Sequence, residues 1–117
     1  ATTVVNDQLH ITSSETTGIS GTVTAVSSFA TATFRSAKFT VQVECTAGTD
    51  AGQYQISEIL MLQDGTTATL TDYAVIRSGN NLVTFTADIS APNARLLATA
   101  TAGNTIKVRV VRYLNTI

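Results

Sequence analysis

Strict alternation of apolar and polar residues constrains this chain more than any other feature. From Lys38 to Cys45, the apolar residues Phe39, Val41, Val43 and Cys45 occupy every second position, with polar or charged residues between them. A period of two places each set on its own face of a strand, so the segment is predicted to be a half-buried antiparallel strand. Further predicted strands, separated by turn residues, cover 54–63, 67–76, 82–89, 94–101 and 106–111.

The composition also favours strands. Threonine fills 22 of the 117 positions, and its β-branched side chain lowers helix propensity and suits a pleated sheet. No 11-residue window has a helical period bounded by capping residues. Asp64-Gly65 is a strong hairpin signal between two predicted strands. The sequence therefore predicts an all-β fold, an antiparallel β-sandwich of jelly-roll-like topology with an extended N-terminal arm.

The N-terminal segment differs from the remainder. Residues 1–33 are rich in Thr, Ser and Gly and contain few large apolar side chains. They are interpreted either as an arm that a neighbouring subunit covers or as weak strands. The predicted organisation is this segment followed by a β-sandwich domain over 34–117.

The predicted strand 54–63 has apolar side chains on both faces. Ile56, Leu60 and Leu62 lie on one face, and Ile59 and Met61 lie on the other. Such a strand is either covered on both sides within the sheet or placed at a subunit contact. Self-association of the chain, with a trimer as one arrangement, is therefore predicted.

Glu58 interrupts this apolar stripe. A carboxylate at such a position is expected to form an ion pair, with Arg35, Arg77 or Arg95 as its partner, or to lie at an interface. Acidic residues are scattered over many predicted strands, so chance proximity explains any pair of them better than a catalytic couple does.

The charge content excludes some classes of partner. Charged residues make up 13% of the chain and the formal net charge is -1, so no basic field attracts nucleic acid or a membrane surface. No apolar run approaches the length of a membrane span.

The last four charged residues are all basic: Arg95, Lys107, Arg109 and Arg112. Lys107 and Arg109 share a strand face and are predicted to be the solvated face of an edge strand, with an acidic or polyanionic partner as the alternative.

The residue types that carry chemistry are few. His10 is the single histidine and has no nearby metal-ligating partners. Cys45, the single cysteine, belongs to the buried face of its strand, where it acts as a small apolar residue. Phosphate-binding, nucleophile-elbow and zinc-protease motifs do not occur. We therefore predict no catalytic residue, no metal site and no cofactor, and we predict that the chain is not an enzyme.

Several stretches of the second segment, taken in order, resemble a β-domain of virion structural proteins of tailed phages, especially phages of marine bacteria and cyanobacteria. These stretches are 34–39, 54–60, 64–68, 85–89, 94–97 and 105–108. The family supplies no catalytic residues. Its charged positions match Arg35, Lys38, Glu58 and Arg95, which implies a structural ion-pair cluster or a subunit contact at these residues.

The resemblance implies a phage particle protein, made in the host cytoplasm and located on the virion surface. We interpret it first as a capsid decoration or cement protein that binds the assembled head shell and stabilises capsomer joints. Its predicted partners are the major capsid protein or another virion protein, together with copies of itself. The alternative is a tail, neck or fibre component, and a carbohydrate-binding module is a more remote hypothesis.

Overall fold

The computed structural model describes residues 2–117, and within them the chain forms nine β-strands. The strands are β1 (Thr3–Val5), β2 (Leu9–Ile19), β3 (Thr24–Ala30), β4 (Phe34–Gly48), β5 (Tyr54–Gln63), β6 (Ala68–Arg77), β7 (Val83–Ser90), β8 (Asn93–Ala100) and β9 (Asn104–Thr116). Among residues 2–117, no helix is long and apolar enough to cross a membrane.

The strands form two antiparallel sheets, which confirms the predicted β-sandwich. The larger sheet has six strands in the order β1-β2-β9-β4-β5-β6, and the smaller has three in the order β3-β8-β7. This division differs from the eight strands of a jelly roll. The difference arises because two hairpins, β1-β2 and β5-β6, extend opposite edges of the larger sheet.

The core lies between the two sheets and follows the predicted alternation. From β4 it receives Phe39, Val41 and Val43, and from the smaller sheet Phe85 and Leu96, all buried. Since successive side chains of a strand point to opposite faces, one side of each of these strands suffices to fill the core.

Three strands, β1, β2 and β3, occupy most of residues 2–33, in line with the strand alternative and not with an extended arm, while Ala1 lies outside the described residues. The strand β2 pairs with β9 from Leu9 to Ile19, and β3 pairs with β8. Small hydroxyl side chains do not prevent this, because backbone groups make the ladder bonds whatever the side chain. Val26 and Phe29 anchor β3 in the core. The two proposed segments are therefore joined in one sandwich.

The Asp64-Gly65 turn joins β5 to β6 as predicted. Gly65 has a φ of 92°, a left-handed conformation that glycine adopts without steric penalty. The Asp64 carboxylate accepts hydrogen bonds from the backbone N–H of Thr67 at 2.8 Å and of Thr66 at 2.9 Å. These bonds favour the ionised form and lower the pKa of Asp64.

Candidate functional site

The face of the six-stranded sheet that points away from the core, here called the outer face, carries exposed apolar side chains. On β5, Ile56, Leu60 and Leu62 are 39%, 47% and 56% exposed, while Ile59 and Met61 on the opposite face are buried. Within this chain, β5 is therefore covered on one side only. A subunit contact remains the prediction for its other side.

Three ion pairs lie on the same outer face, in register across neighbouring strands. The Lys38 Nζ atom lies 3.6 Å from a Glu58 carboxylate oxygen, and Lys107 Nζ lies 3.5 Å from a Glu44 oxygen. The third pair joins Arg109 to Glu15, whose pKa is lowered by the guanidinium hydrogen bond. Each cation has its own anion, so the formal charge of these pairs sums to zero.

The structure brings together two of the four charged residues that the resemblance singled out. Lys38 pairs with Glu58. Arg95 instead lies on β8 of the smaller sheet and forms a bidentate pair with Asp88, with Nε–Oδ1 and Nη2–Oδ2 distances of 2.8 and 2.6 Å. The Arg35 Nη1 group donates to the backbone carbonyl of Gln63 at 2.9 Å.

The expected arginine partner of Glu58 is thus a lysine. Leu60 is the direct cross-strand neighbour of Lys38, and Glu58 is the next outward-facing residue of β5. A long lysine side chain spans that diagonal. Strand order decides which cation reaches the carboxylate, and local sequence patterns do not reveal strand order.

The edge-strand prediction for Lys107 and Arg109 is wrong. Their strand β9 lies between β2 and β4 near the middle of the larger sheet. The reason is that the N-terminal residues form β2 and cover the edge that β9 would otherwise present. Both cations are paired with glutamates of the two flanking strands.

A buried polar network closes one end of the sandwich. The Asp50 carboxylate accepts hydrogen bonds from Asn104 Nδ2 at 2.7 Å and from Asn80 Nδ2 at 2.9 Å, and these bonds lower the pKa of Asp50. In turn, Asn104 Oδ1 accepts from the Asp50 backbone N–H at 3.0 Å. The network joins the β4–β5 and β6–β7 connections to the first residue of β9, so its role is structural.

A hydroxyl-lined groove opens between β2 and β3, where the edge of the smaller sheet meets the larger one. It has a volume of about 360 Å³. Hereafter it is the Arg112 groove, and its lining residues are Thr12, Ser13, Ser14, Ala25, Val26, Ser27, Ser28 and Arg112. The ladder between β3 and β8 shifts register between Ala25 and Ser27, and β-bulges of this kind often re-aim side chains next to functional sites.

Arg112 crosses the groove from β9 and holds it together. Its Nε donates to Thr12 Oγ1 at 2.6 Å, and its Nη1 donates to Ser27 Oγ at 2.9 Å and to the Ser28 carbonyl at 2.6 Å. Burial disfavours the charged form and lowers the pKa of Arg112. No carboxylate lies within 4.0 Å of this guanidinium in the part of the chain that the structure describes.

The sequence analysis recorded Arg112 only as one of four terminal basic residues. A signal for its placement was present, because the period of two puts Arg112 on the same face as Val110 and Leu114, which are buried. A charged residue at an inward-facing position of a strand indicates a special environment.

His10 and Cys45, whose side chains can bind metals or act as nucleophiles, both make packing contacts in the structure. The ring of His10 packs edge-on against Phe34 with centroids 4.9 Å apart. Cys45 is buried in the core, on the predicted face of β4. Within residues 2–117, no three His, Cys, Asp or Glu side chains are grouped so as to hold a metal ion.

Comparisons with known proteins connect this fold with phage tailspikes. No family model matches the chain, and a search of curated proteins gives no significant match. Among solved structures, the tailspike of Acinetobacter phage vB_ApiP_P1 is similar, with a TM-score of 0.60 and 14% identity over 89% of this chain. The tailspike of Acinetobacter baumannii phage AM24 matches 92% of the chain with a TM-score of 0.53 and 8% identity.

A third similar structure is gp49, a tailspike of Acinetobacter baumannii bacteriophage Fri1 and a capsular polysaccharide depolymerase. It matches the whole chain with a TM-score of 0.50 and 16% identity. The chain spans 22%, 26% and 21% of the lengths of the three tailspikes. At these identities the comparisons show a shared fold alone, and these three neighbours come from Acinetobacter phages, not from marine or cyanobacterial phages.

Two sequence-based predictions change with these comparisons. The prediction that the chain is not an enzyme is wrong, because a structural neighbour is a capsular polysaccharide depolymerase. The lack of familiar motifs is no ground for excluding activity. The comparisons also give no support to the capsid decoration protein, since the three neighbours described above are tailspikes.

Proposed function

We propose that this chain is a β-sandwich domain of a bacteriophage tail protein of the tailspike type, carried on the virion and acting on capsular polysaccharide. The observation that carries the proposal is the shared fold over 89% to 100% of the chain in three tailspikes. The capsid decoration hypothesis has no comparable support. Because fold alone does not determine function, the location and the activity each need a test.

The location is tested on intact phage particles. Gold-labelled antibodies raised against this chain are expected to decorate the tail in electron micrographs. Label spread over the head surface would contradict the proposal and favour capsid decoration. Antibodies preadsorbed with the purified chain provide the control, since they should label neither part of the particle.

The activity is tested on the virion protein that contains this chain. Incubation with purified capsular polysaccharide of the host strain is expected to shorten the polymer, as measured by size-exclusion chromatography with light scattering. A polymer of unchanged size would overturn the polysaccharide part of the proposal and leave the tail location to the labelling experiment.

The outer face is proposed as the surface through which copies of the chain associate. A six-stranded face with nine paired positions between β4 and β5 covers roughly 700 Å² at the usual strand spacing. Each partner of a standard protein interface contributes a similar area, about 800 Å². Because its three ion pairs balance their charges, a second copy meets no net repulsion there.

Two matched substitutions test self-association. Leu62 and Val23 are both 56% exposed, but Leu62 lies on the outer face and Val23 lies in the connection between β2 and β3. Light scattering of the wild type at high micromolar concentration is expected to give an oligomer, which Leu62→Glu converts to monomer and Val23→Glu leaves intact. A monomeric wild type, or equal effects of both changes, would argue against this surface.

A further inference from the structure

We propose that the Arg112 groove binds a carboxylate-bearing sugar residue of an acidic polysaccharide, with the Arg112 guanidinium paired to the sugar carboxylate. The inference rests on the polysaccharide part of the proposed function and names the kind of sugar residue that the groove binds. Arg112 forms none of the four ion pairs among residues 2–117, and hydroxyl groups of Thr12 and Ser27 lie beside it.

The hydrogen bonds of Arg112 leave part of its guanidinium available. A guanidinium has five N–H donors, and the structure assigns acceptors within the chain to Nε and Nη1. In the described residues, Nη2 donates to no protein acceptor, and it is not among the buried unpaired atoms. Nη2 therefore retains some accessible surface, and the bonds of Nε and Nη1 hold it in position to donate to a ligand.

The charge of Arg112 also lacks a counter-ion. Among residues 2–117, the four ion pairs use Lys38, Lys107, Arg95 and Arg109, and none involves Arg112. A partly buried cation without a neighbouring anion is unfavourable. A carboxylate supplies the missing negative charge and accepts a hydrogen bond from the free Nη2 group.

The lining favours a sugar over a simple inorganic anion. Thr12, Ser14 and Ser27 contribute hydroxyls at the groove, and hydroxyls both donate and accept hydrogen bonds, as those of a sugar do. Phosphate or sulfate mainly accepts and would leave the lone pairs of these hydroxyls unused.

Size and apolar surface fit the same ligand. The volume of about 360 Å³ lies at the lower end of the range for small-molecule sites. The exposed Ala25 adds apolar surface that suits the C–H face of a sugar ring. The groove is open at the surface, so neighbouring residues of a longer polysaccharide extend into solvent.

The test uses the ¹⁵N-labelled chain and nuclear magnetic resonance, with methyl glucuronide as the acidic probe and methyl glucoside as its neutral counterpart. The glucuronide is expected to shift the Arg112 Nε–H signal and the amide signals of residues 12–14 and 25–28. Its affinity should exceed that of the glucoside by about tenfold or more, the effect of one charge-assisted pair. Absence of shifts in the groove would overturn the proposal.

Two arginine variants make a matched comparison. Arg77 is exposed, and its Nε donates to Asn81 Oδ1 at 3.3 Å. It too lacks a carboxylate partner in the described ion pairs. Arg112→Gln should abolish glucuronide binding, and Arg77→Gln, which removes the same charge elsewhere, should retain it. Equal loss in both would indicate a general charge effect and contradict the site.

A further variant and a further probe cover the remaining outcomes. Ala25 is exposed at the groove, so Ala25→Tyr should block binding and leave the Arg112 contacts intact, even if Arg112→Gln fails to fold. Inorganic phosphate is expected to bind more weakly than the glucuronide. Equal affinity for phosphate would show an unselective anion site and overturn the assignment to a sugar.

Discussion

The two faces of the six-stranded sheet have similar side chains but different environments. On β5, Ile59 and Met61 are buried against the smaller sheet, while Leu60 and Leu62, one residue away, are about half exposed. Their hydrophobicity is much the same. The inner side chains are buried because the smaller sheet covers them, whereas nothing in the described chain covers the outer ones.

The polar groups of the sheet also differ between the inner and the outer face. The buried Gln63 is neutral and saturated: its Nε2 donates to the carbonyls of Thr31 and Phe34, at 2.9 and 2.6 Å, and its Oε1 accepts from the Gly65 N–H at 2.6 Å. On the outer face, the polar residues at the ion pairs are charged and partly solvated. Neutral amides cost less to bury than charges do, and solvent screens the surface pairs.

Adjacent alanine substitutions on β5 test this comparison most strongly. Ile59→Ala is expected to lower the free energy of unfolding by about 2–5 kcal/mol, because it leaves a cavity in the core. Leu60→Ala should change it by no more than about 0.5 kcal/mol at a concentration where the chain is monomeric. Urea titrations of both variants measure the difference, and comparable losses would mean that the outer face is packed within the monomer.

Gln63→Leu tests the neutral polar group of the inner side. The change keeps the volume but leaves two carbonyls and one N–H without their partner, so we expect a loss of about 1–3 kcal/mol. Thermal and urea unfolding measure it, with Gln42→Leu on the exposed face of the same sheet as control. A loss no larger than that of the control would show that water replaces the missing bonds.

Acidification gives the smallest expected effect and compares the polar network at the end of the sandwich with an ion pair of the outer face. The pKa of Asp50 and the pKa of Glu15 are both lowered in the folded chain. Their stabilising contributions are therefore complete above the unfolded-state pKa values, 3.8 and 4.5, and are lost as the pH falls through the lower folded-state values. Melting temperatures between pH 7 and pH 2 should show less acid sensitivity in Asp50→Asn and in Glu15→Gln.

Added salt distinguishes the stabilising contribution of Glu15 from that of Asp50. The Glu15–Arg109 attraction joins two partly exposed charges and should weaken in about 0.5 M NaCl. The Asp50 carboxylate is bound by the neutral amides of Asn104 and Asn80, so its contribution should persist. If salt removes the acid sensitivity of Asp50 as well, long-range charge rather than local hydrogen bonding would explain its lowered pKa.

Much of the fold could be predicted from local pattern. The alternation around Phe39 and the turn signal at Asp64-Gly65 predicted strands and a hairpin that the structure contains. The N-terminal strands were harder to predict, because β2 has few apolar residues and is stabilised by pairing with β9, about 100 residues away. Such pairing leaves little trace in a short sequence window.

The candidate site was less predictable than the fold. The ion pair of Lys38 with Glu58 and that of Arg95 with Asp88 depend on which strands are neighbours. The Arg112 groove combines residues of β2, β3 and β9 from three separate parts of the chain. Only the inward position of Arg112 was visible in the sequence.

The sequence by itself determined that this chain forms strands, where most of them turn, and which side of each strand is apolar. These properties follow from side-chain branching, alternation and turn residues, which act over a few positions. The tertiary structure decided the strand order, the division into six and three, the partner of each charge and the opening of the groove. Those depend on contacts between distant segments, whose free energy is gained only when the whole sandwich assembles.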